Sequence, residues 1–266
     1  MILKLNPIFL ILLLPLSLMS KTRIELTGSS TVAPVTKEIG RAFERLNPNT
    51  QVNIQTGGSS RGVADARRGL VDIGMASRSL KHKEKGLSVY TIALDGIGII
   101  VNHQNSIKEI APENIVKIYR GEIVNWKELG GVDQQITVVS KAAGRSTLEL
   151  FLKYFNIKYG ELKPQIIIGD NEQGIKNVES NSGAIGYVSI GAAQYSSKSR
   201  GKIKLLDLNG VKASVQTVRD GTYPLSRPLN LLTKSPAEGE VKEFIDFTRS
   251  AKARDIIESQ YFVPVH

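Results

Sequence analysis

The chain has 266 residues, 35 Lys and Arg against 25 Asp and Glu, and no cysteine. A hydrophobic fraction of 41% with 23% charged residues excludes disordered and fibrous classes, and zero cysteine excludes disulfide scaffolds, thiolate-held metals, thiol catalysis and a lipidated N-terminal cysteine. The formal charge of +10 points to an acidic partner without choosing among nucleic acid, membrane and small anion.

Lys4 precedes an unbroken apolar run from Ile8 to Leu14, and no acidic residue occurs before Glu25. This pattern predicts an export signal over residues 1–20, too short for the roughly 20 apolar residues that span a bilayer. Cleavage after Ser20 leaves 266 − 20 = 246 residues and removes one charge, Lys4, from the total of +10. Leu18 is a poor match to the small residue wanted near a cleavage site, so an uncleaved anchor stays open as the alternative.

Beyond it, short apolar or alternating runs give way repeatedly to helical spacing. Residues 23–27 read as a strand, followed by a helix with Val35, Ile39, Phe43 and Leu46 on one stripe. A strand over 51–55, a helix over 60–68 stopped by Gly69, and strands over 72–76 and 92–102 follow, the last carrying the buried-looking run Ile97 to Val101. Pro112 opens a helix over 112–119 at a position where its missing N–H costs nothing. A strand over 135–140 leads to a helix with Leu148, Phe151, Leu152 and Phe155 on one face. Strands over 165–168, 184–188, 203–207 and 227–233, a polar helix over 172–180, and helices over 237–249 and 252–261 complete the chain. Such alternation predicts an α/β protein with largely parallel sheets.

One small pattern recurs three times: a strand ends, glycine and hydroxyl residues follow, and a helix begins. The instances are Gly28-Ser29-Ser30-Thr31, Gly57-Gly58-Ser59-Ser60 and Gly144-Arg145-Ser146-Thr147. A helix start exposes unpaired N–H groups at the positive end of its dipole, glycine lets backbone approach a ligand, and Ser or Thr adds a donor. Ser and Thr are also ordinary helix caps, which is the plainer reading of each motif taken singly. Three such starts meeting at one point would surround a tetrahedral oxyanion.

These residues resemble the periplasmic phosphate-binding proteins of ABC transporters, with the type II solute-binding fold. The resemblance rests on Gly28-Ser29-Ser30-Thr31-Val32-Ala33-Pro34, Gly58-Ser59-Ser60-Arg61-Gly62-Val63 and Val71-Asp72-Ile73-Gly74-Met75-Ala76-Ser77-Arg78. It continues through Ala93-Leu94-Asp95-Gly96, Val138-Val139-Ser140-Lys141 with the third glycine motif, and Gly183-Ala184-Ile185-Gly186-Tyr187-Val188. It implies two α/β lobes, each a mixed, largely parallel sheet flanked by helices: lobe I over 21–98 and 227–266, lobe II over 99–226. A two-strand hinge would cross near residues 96–98 and 226–228, with the anion in the cleft between the lobes.

The resemblance assigns ligand contacts to Ser30, Thr31, Ser59, Ser60, Ser77, Arg145, Ser146 and Thr147, with Ser29, Gly144, Asp95, Lys141 and Arg78 as further candidates. Long-chain members of the family carry an aspartate at the position of Ser77, and that carboxylate accepts phosphate's proton and rejects sulfate. Asp95 is here either a substitute acceptor or a tie for the crossing. The family has arginine at Lys141, serine at Arg145 and glycine at Ser146, so Arg145 is expected to take over the cationic role with its planar fork. Of Arg61, Arg78 and Lys141, at least two are expected on the solvated surface.

The implied function is an exported receptor, monomeric and periplasmic, that binds inorganic phosphate and delivers it to a membrane permease. Sulfate, molybdate or a phosphorylated compound is the alternative ligand. No cofactor or metal is expected, nor catalysis: no Gly-x-Ser-x-Gly elbow is expected, His-Glu-x-x-His and the Gly-x4-Gly-Lys-Ser/Thr loop are missing, and His82, His103 and His266 sit in surface contexts. Arg67-Arg68 and Lys81-His82-Lys83 are too short, and too poor in aromatics, for a nucleic-acid surface. Trp126 is read as packing.

Overall fold

The structure, a computed structural model, describes residues 21–266, and the expected export signal lies outside the described residues. The first strand, β1 (Thr22–Gly28), runs into α1 (Ala33–Leu46), whose Val35, Ile39, Ala42 and Phe43 form a buried stripe. Then come β2 (Thr50–Thr56), α2 (Ser59–Arg68) and β3 (Ile73–Ala76). β1 lies between β2 and β3, parallel to both. The two strand-to-helix turns of this layer, after β1 and β2, open at the same edge of the sheet, which is where strand-end loops collect ligands.

β4 (Ser88–Asn102) is longer than its apolar run suggests, with 15 residues. Next in the chain are β5 (Glu109–Ile110), α3 (Pro112–Tyr119), β6 (Thr137–Lys141), α4 (Ser146–Tyr154) and β7 (Ile166–Ile168). The chain continues through α5 (Asn171–Ser180), β8 (Ala184–Ser189), α6 (Ile190–Arg200), β9 (Ile203–Leu208) and α7 (Val215–Arg219). It closes with β10 (Ser226–Thr233), α8 (Gly239–Phe247), α9 (Ala251–Ser259) and β11 (Val263–Pro264).

Strand order is β2-β1-β3-β10-β4-β8-β6-β7, with β11 and β9 on β4 and β5 on β9. The parallel pairs lie away from the centre, whereas every antiparallel strand pair involves β4 or β10. β4 changes partners along its length. Up to Gly96 it pairs with β10, and from Ile97 onward with β8 and β9. At the same level Ile97 donates its N–H to the Leu225 carbonyl, just before β10 begins.

Two cores flank this change. One gathers Ile24, Leu26, Ile39, Phe43, Met75, Leu229 and Phe244; the other is built on Ile99, Tyr119, Trp126, Phe151, Tyr187 and Leu206. A further apolar cluster, around Ile100, Val139, Ile175 and Val188, packs the opposite face of the second sheet. The architecture is the two-lobed type II fold with a two-strand hinge. Trp126 is fully buried and donates Nε1–H to the Gly183 carbonyl at 3.0 Å, a packing role.

The helix α6 has no counterpart in the sequence reading. Its buried positions are Ile190, Gly191, Ala193 and Ser196, mostly small, so it packs closely without an apolar stripe that periodicity could register. Its start is set instead by Ser189, whose Oγ accepts the Ala192 N–H at 3.3 Å. The short elements α7, β5 and β11 are likewise absent from that reading.

Candidate functional site

The starts of α1, α2 and α4 converge on one small cavity, lined by Ser29, Ser30, Thr31, Gly58, Ser59, Ser77, Lys141, Arg145, Ser146 and Thr147. The first two helices belong to the sheet half holding β1–β3, the third to the half holding β6–β8. At their N-cap positions stand Val32, Gly58 and Arg145, none of which contributes a capping side chain. The starts of α3 and α8, away from the cavity, also lack a side-chain cap, while α5, α6, α7 and α9 are capped by Asp170, Ser189, Ser214 and Ser250. First-turn N–H groups of α2 and α4, left without a capping side chain, are donors available at the cavity, whereas the α1 start is closed by Ser29 one turn earlier.

Glycine makes the convergence sterically possible. Gly28 has φ of +134°, and a Cβ there would stand 2.2 Å from the Met75 carbonyl oxygen. Gly58 has φ of +93°, and its Cβ would stand 2.7 Å from the Gly144 carbonyl oxygen across the cleft. Both backbone conformations disfavour any side chain.

The hydroxyls form a chain. Ser29 Oγ accepts the Thr31 and Val32 N–H groups, which is the capping role, and donates to Ser77 Oγ at 2.9 Å. Ser77 Oγ lies 2.6 Å from Ser146 Oγ on the opposite side of the cleft. Ser77 N–H donates to Ser59 Oγ at 3.1 Å. Ser29, Thr31, Ser59, Ser77, Ser146 and Thr147 are all buried.

Behind this wall sits Arg227, the residue the sequence reading missed. It is 2% exposed, and its fork touches both sides of the cleft. Nη1 donates to Thr147 Oγ1 at 2.8 Å, Nη2 to Thr31 Oγ1 at 3.3 Å, and Nε and Nη2 to Asp95 Oδ2 at 3.1 and 2.8 Å. Arg227 and Asp95 are register partners on β10 and β4. A charged residue heading an apolar strand, opposite an acid in another, was the signal available. Asn171 was missed too; its Nδ2 donates to Thr31 Oγ1 at 3.2 Å and so joins α5 to α1's start.

Several predicted residues do not reach the cavity wall. Asp95 is occupied by Arg227, by Ser189 Oγ at 2.9 Å and by the Gly191 N–H at 3.3 Å, so it ties the hinge rather than facing the cavity. Ser60 Oγ turns away to donate to Glu149 Oε1 at 3.1 Å, and the Gly144 carbonyl accepts the Ser60 N–H. Arg78 is buried but forked onto Glu84 at 2.7 and 2.9 Å. Burial pushes the Glu84 carboxyl up, yet the Arg78 fork and the Lys81 N–H outweigh it and hold Glu84 below the usual range.

The expectation for the three lesser cations fails in one respect. Only Arg61 is exposed, paired with Asp65, because Arg78 and Lys141 are buried at 3% each. Burial first, and Arg227 next, depress the Lys141 amine to about 7. Arg145 is half-buried at the cavity, where the sequence placed it.

The expected absence of a Gly-x-Ser-x-Gly hydrolase elbow is corrected by the sequence itself, since Gly58-Ser59-Ser60-Arg61-Gly62 has that spacing. The geometry lacks the partner: Ser60 is bonded to Glu149, while His82, His103 and His266 are exposed. Two of these rings are accounted for, His103 against the Lys202 carbonyl and His266 against Arg249 and the Thr91 carbonyl. Among the described residues no cluster of His, Asp and Glu could hold a metal, and no helix is long and apolar enough to cross a membrane.

Residues 19–252 match the family described as PBP superfamily domain. The phosphate-binding protein PstS of Bacillus subtilis is 32% identical over 248 residues, 91% of this chain and 80% of that one. The protein of the same name in Borreliella burgdorferi is 28% identical over 91% of this chain and 90% of its own. Among solved structures, a putative phosphate ABC transporter substrate-binding protein with bound phosphate, from Clostridium perfringens, superposes with a TM-score of 0.85 at 34% identity, covering 92% of this chain and all of that one. An ABC-type phosphate transport receptor from Vibrio cholerae gives 0.75 at 30% identity, covering 90% of this chain and 99% of its own. With a two-lobed fold, three helix starts around one cavity and this likeness along nearly its whole length, the chain belongs to the PBP superfamily and, within it, to the family of phosphate-binding proteins of ABC transporters.

Proposed function

We propose that the protein is a transport receptor that binds inorganic phosphate in the cavity between its lobes and hands it to an ABC-type importer. The observation that carries this is the convergence of the α1, α2 and α4 starts with Lys141 and Arg145 on a single cavity. A micromolar dissociation constant needs about 8 kcal/mol. Hydrogen bonds to a charged group contribute roughly 1.5–3 kcal/mol each, so eight donors exceed the need and leave room for desolvation and closure.

The contacts we assign are Ser30, Thr31, Ser59, Ser146, Thr147 and the backbone N–H groups at the starts of α2 and α4, with Arg145 and Lys141 as cavity cations. Ser77, Ser29 and Arg227 stand behind them as a hydrogen-bonded support. The lobes expected over 21–98 with 227–266 and over 99–226 are redrawn as 21–96 with 226–266 and 97–225, a shift supported by the exchange of β4 partners after Gly96. The receptor works outside the cytoplasmic membrane as a monomer, exported by residues 1–20, and it binds no nucleic acid: Arg67, Arg68, Lys81, His82 and Lys83 are exposed without interleaved aromatics.

Calorimetric titration with phosphate, sulfate and molybdate tests the reading. Heat with phosphate and far weaker binding of sulfate are expected, and silence with phosphate overturns it. Arg145→Ala is expected to weaken phosphate binding about 10- to 100-fold, corresponding to roughly 1.5–3 kcal/mol, and Arg61→Ala to change it little. Equal losses in the two variants would refute the charge assignment.

A further inference from the structure

Lys141 ends β6 and lines the cavity, yet among the described residues no carboxylate forms an ion pair with it. The charged groups facing it come from three elements: Arg227 from β10, Arg145 from the start of α4 and Asp170 from the start of α5. Tyr187 of β8 accepts the Lys141 backbone N–H at 3.3 Å, and burial keeps that phenol protonated, pushed up to about 12. The two nearby acids are engaged elsewhere. Asp95 is bound by Arg227, and Asp170 Oδ1 accepts the Gln173 N–H at 2.8 Å.

A 3%-exposed amine beside two guanidiniums, with one acid in partial compensation, is held more easily as a neutral base than as a third cation. A dianion entering the cavity reverses that balance. It supplies the missing negative charge within the same low-dielectric space and favours the ammonium form. We propose, on the phosphate reading above, that Lys141 is a proton-capturing cation, a neutral amine in the empty site that becomes ammonium as a phosphate dianion is bound. The new N–H bond forms between Nζ and a proton drawn from water or buffer. No bond of the phosphate breaks, and its net charge is unchanged.

The residue therefore acts differently from an arginine at the same place. Arginine keeps its charge at every working pH and repels its neighbours in the empty cavity. Lys141 supplies its charge only with the anion present. The sign of the linkage follows: as pH rises above about 7 the empty protein has already lost this proton, so binding must recover it and affinity falls with rising pH. Below about 7 Lys141 is already charged and this contribution levels off.

The test is calorimetry of phosphate binding at pH 8 in buffers of differing ionisation enthalpy, on the full mature protein and on Lys141→Arg. Wild type should take up about 0.9 proton per phosphate more than the variant, given an amine titrating near 7 in the empty site and near 10.4 when unperturbed. Any uptake that persists in the variant belongs to the ligand. Carbon-13 at the lysine ε position gives an independent readout. The Lys141 resonance, identified by its loss in Lys141→Arg, should sit at the amine position at pH 8 and move to the ammonium position with phosphate. Binding with equal proton counts in the two proteins, or an ammonium signal in the empty protein at pH 8, would overturn the proposal while leaving the phosphate reading intact. No binding in either protein would overturn both.

Discussion

Arg227 and Asp95 are each 2% exposed and hold each other by two hydrogen bonds across neighbouring strands. Removing one member strands the other's charge in the interior, which costs about 3–5 kcal/mol. Arg227→Met is therefore expected to lower stability by that amount in denaturant melts, and Asp95→Asn added to it should restore most of the loss. Equal melts for the single and double variants would refute the pairing argument. At this scale the sequence was partly legible. Ser30, Thr31, Ser59, Ser146 and Thr147 announced themselves because glycine–hydroxyl helix starts are local patterns. Arg227 did not, because its partner is 132 residues away and nothing near it in the chain hints at the contact. Asp95 was seen, but only the register of β10 on β4 decides between ligand acceptor and hinge tie, in favour of the tie.

The helices meet across the cleft through a second set of contacts, away from the cavity. Glu149, in the first turn of α4, takes Ser60 Oγ at 3.1 Å on one oxygen. Its other oxygen lies 2.7 Å from Lys81 Nζ and 3.2 Å from Arg78 Nε. Glu149 thus joins α4 to the start of α2 and to the loop after β3. Glu149→Gln should weaken phosphate binding by about 1 kcal/mol, roughly fivefold, since the cluster is a network yet partly exposed. Small-angle scattering at saturating phosphate would read the accompanying expansion, and an unchanged radius with unchanged affinity would refute this role of Glu149 in holding the cleft closed. Gly58→Ala acts on the same approach, because its new Cβ meets the Gly144 carbonyl. It should reduce affinity more than it reduces the melting temperature of the ligand-free protein. A parallel fall in both would place the strain in the fold instead.

Strands and amphipathic helices were read well because their periodicities are local, as with α1, α3 and β8. α6 escaped because a helix packed through Gly191, Ala193 and Ser196 buries little that looks apolar. Of the motifs that carry the family likeness, those at Gly28, Gly58 and Gly144 lie at strand ends and helix starts, while residues 93–96 fall inside β4 and residues 183–188 run along β8.

At the scale of the molecule, two sheets share one strand. β4 belongs to the first sheet up to Gly96 and to the second from Ile97, while Leu225 and Ser226 bring the chain back beside it. Closure in this arrangement is a rotation about two neighbouring strands, and the contacts that hold it are those just described: Ser77 with Ser146, Arg227 with Thr147, Asn171 with Thr31, and the Glu149 cluster. Arg227 stands on the hinge and grips Thr31 and Thr147 at once, so the pivot and the cavity wall are mechanically one object.

The same shared strand orders the events of folding. β10 lies between β3 and β4, so the middle of the first sheet is supplied by residues 226–233, synthesised after the whole second sheet. Residues 97–225 have their partners within one contiguous stretch, while β3 and β4 must wait more than a hundred residues for the strand that joins them. Such long-range pairing makes for slow completion. The half of the molecule that begins the chain is thus the half that finishes last, and until β10 arrives there is no Arg227 to meet Asp95.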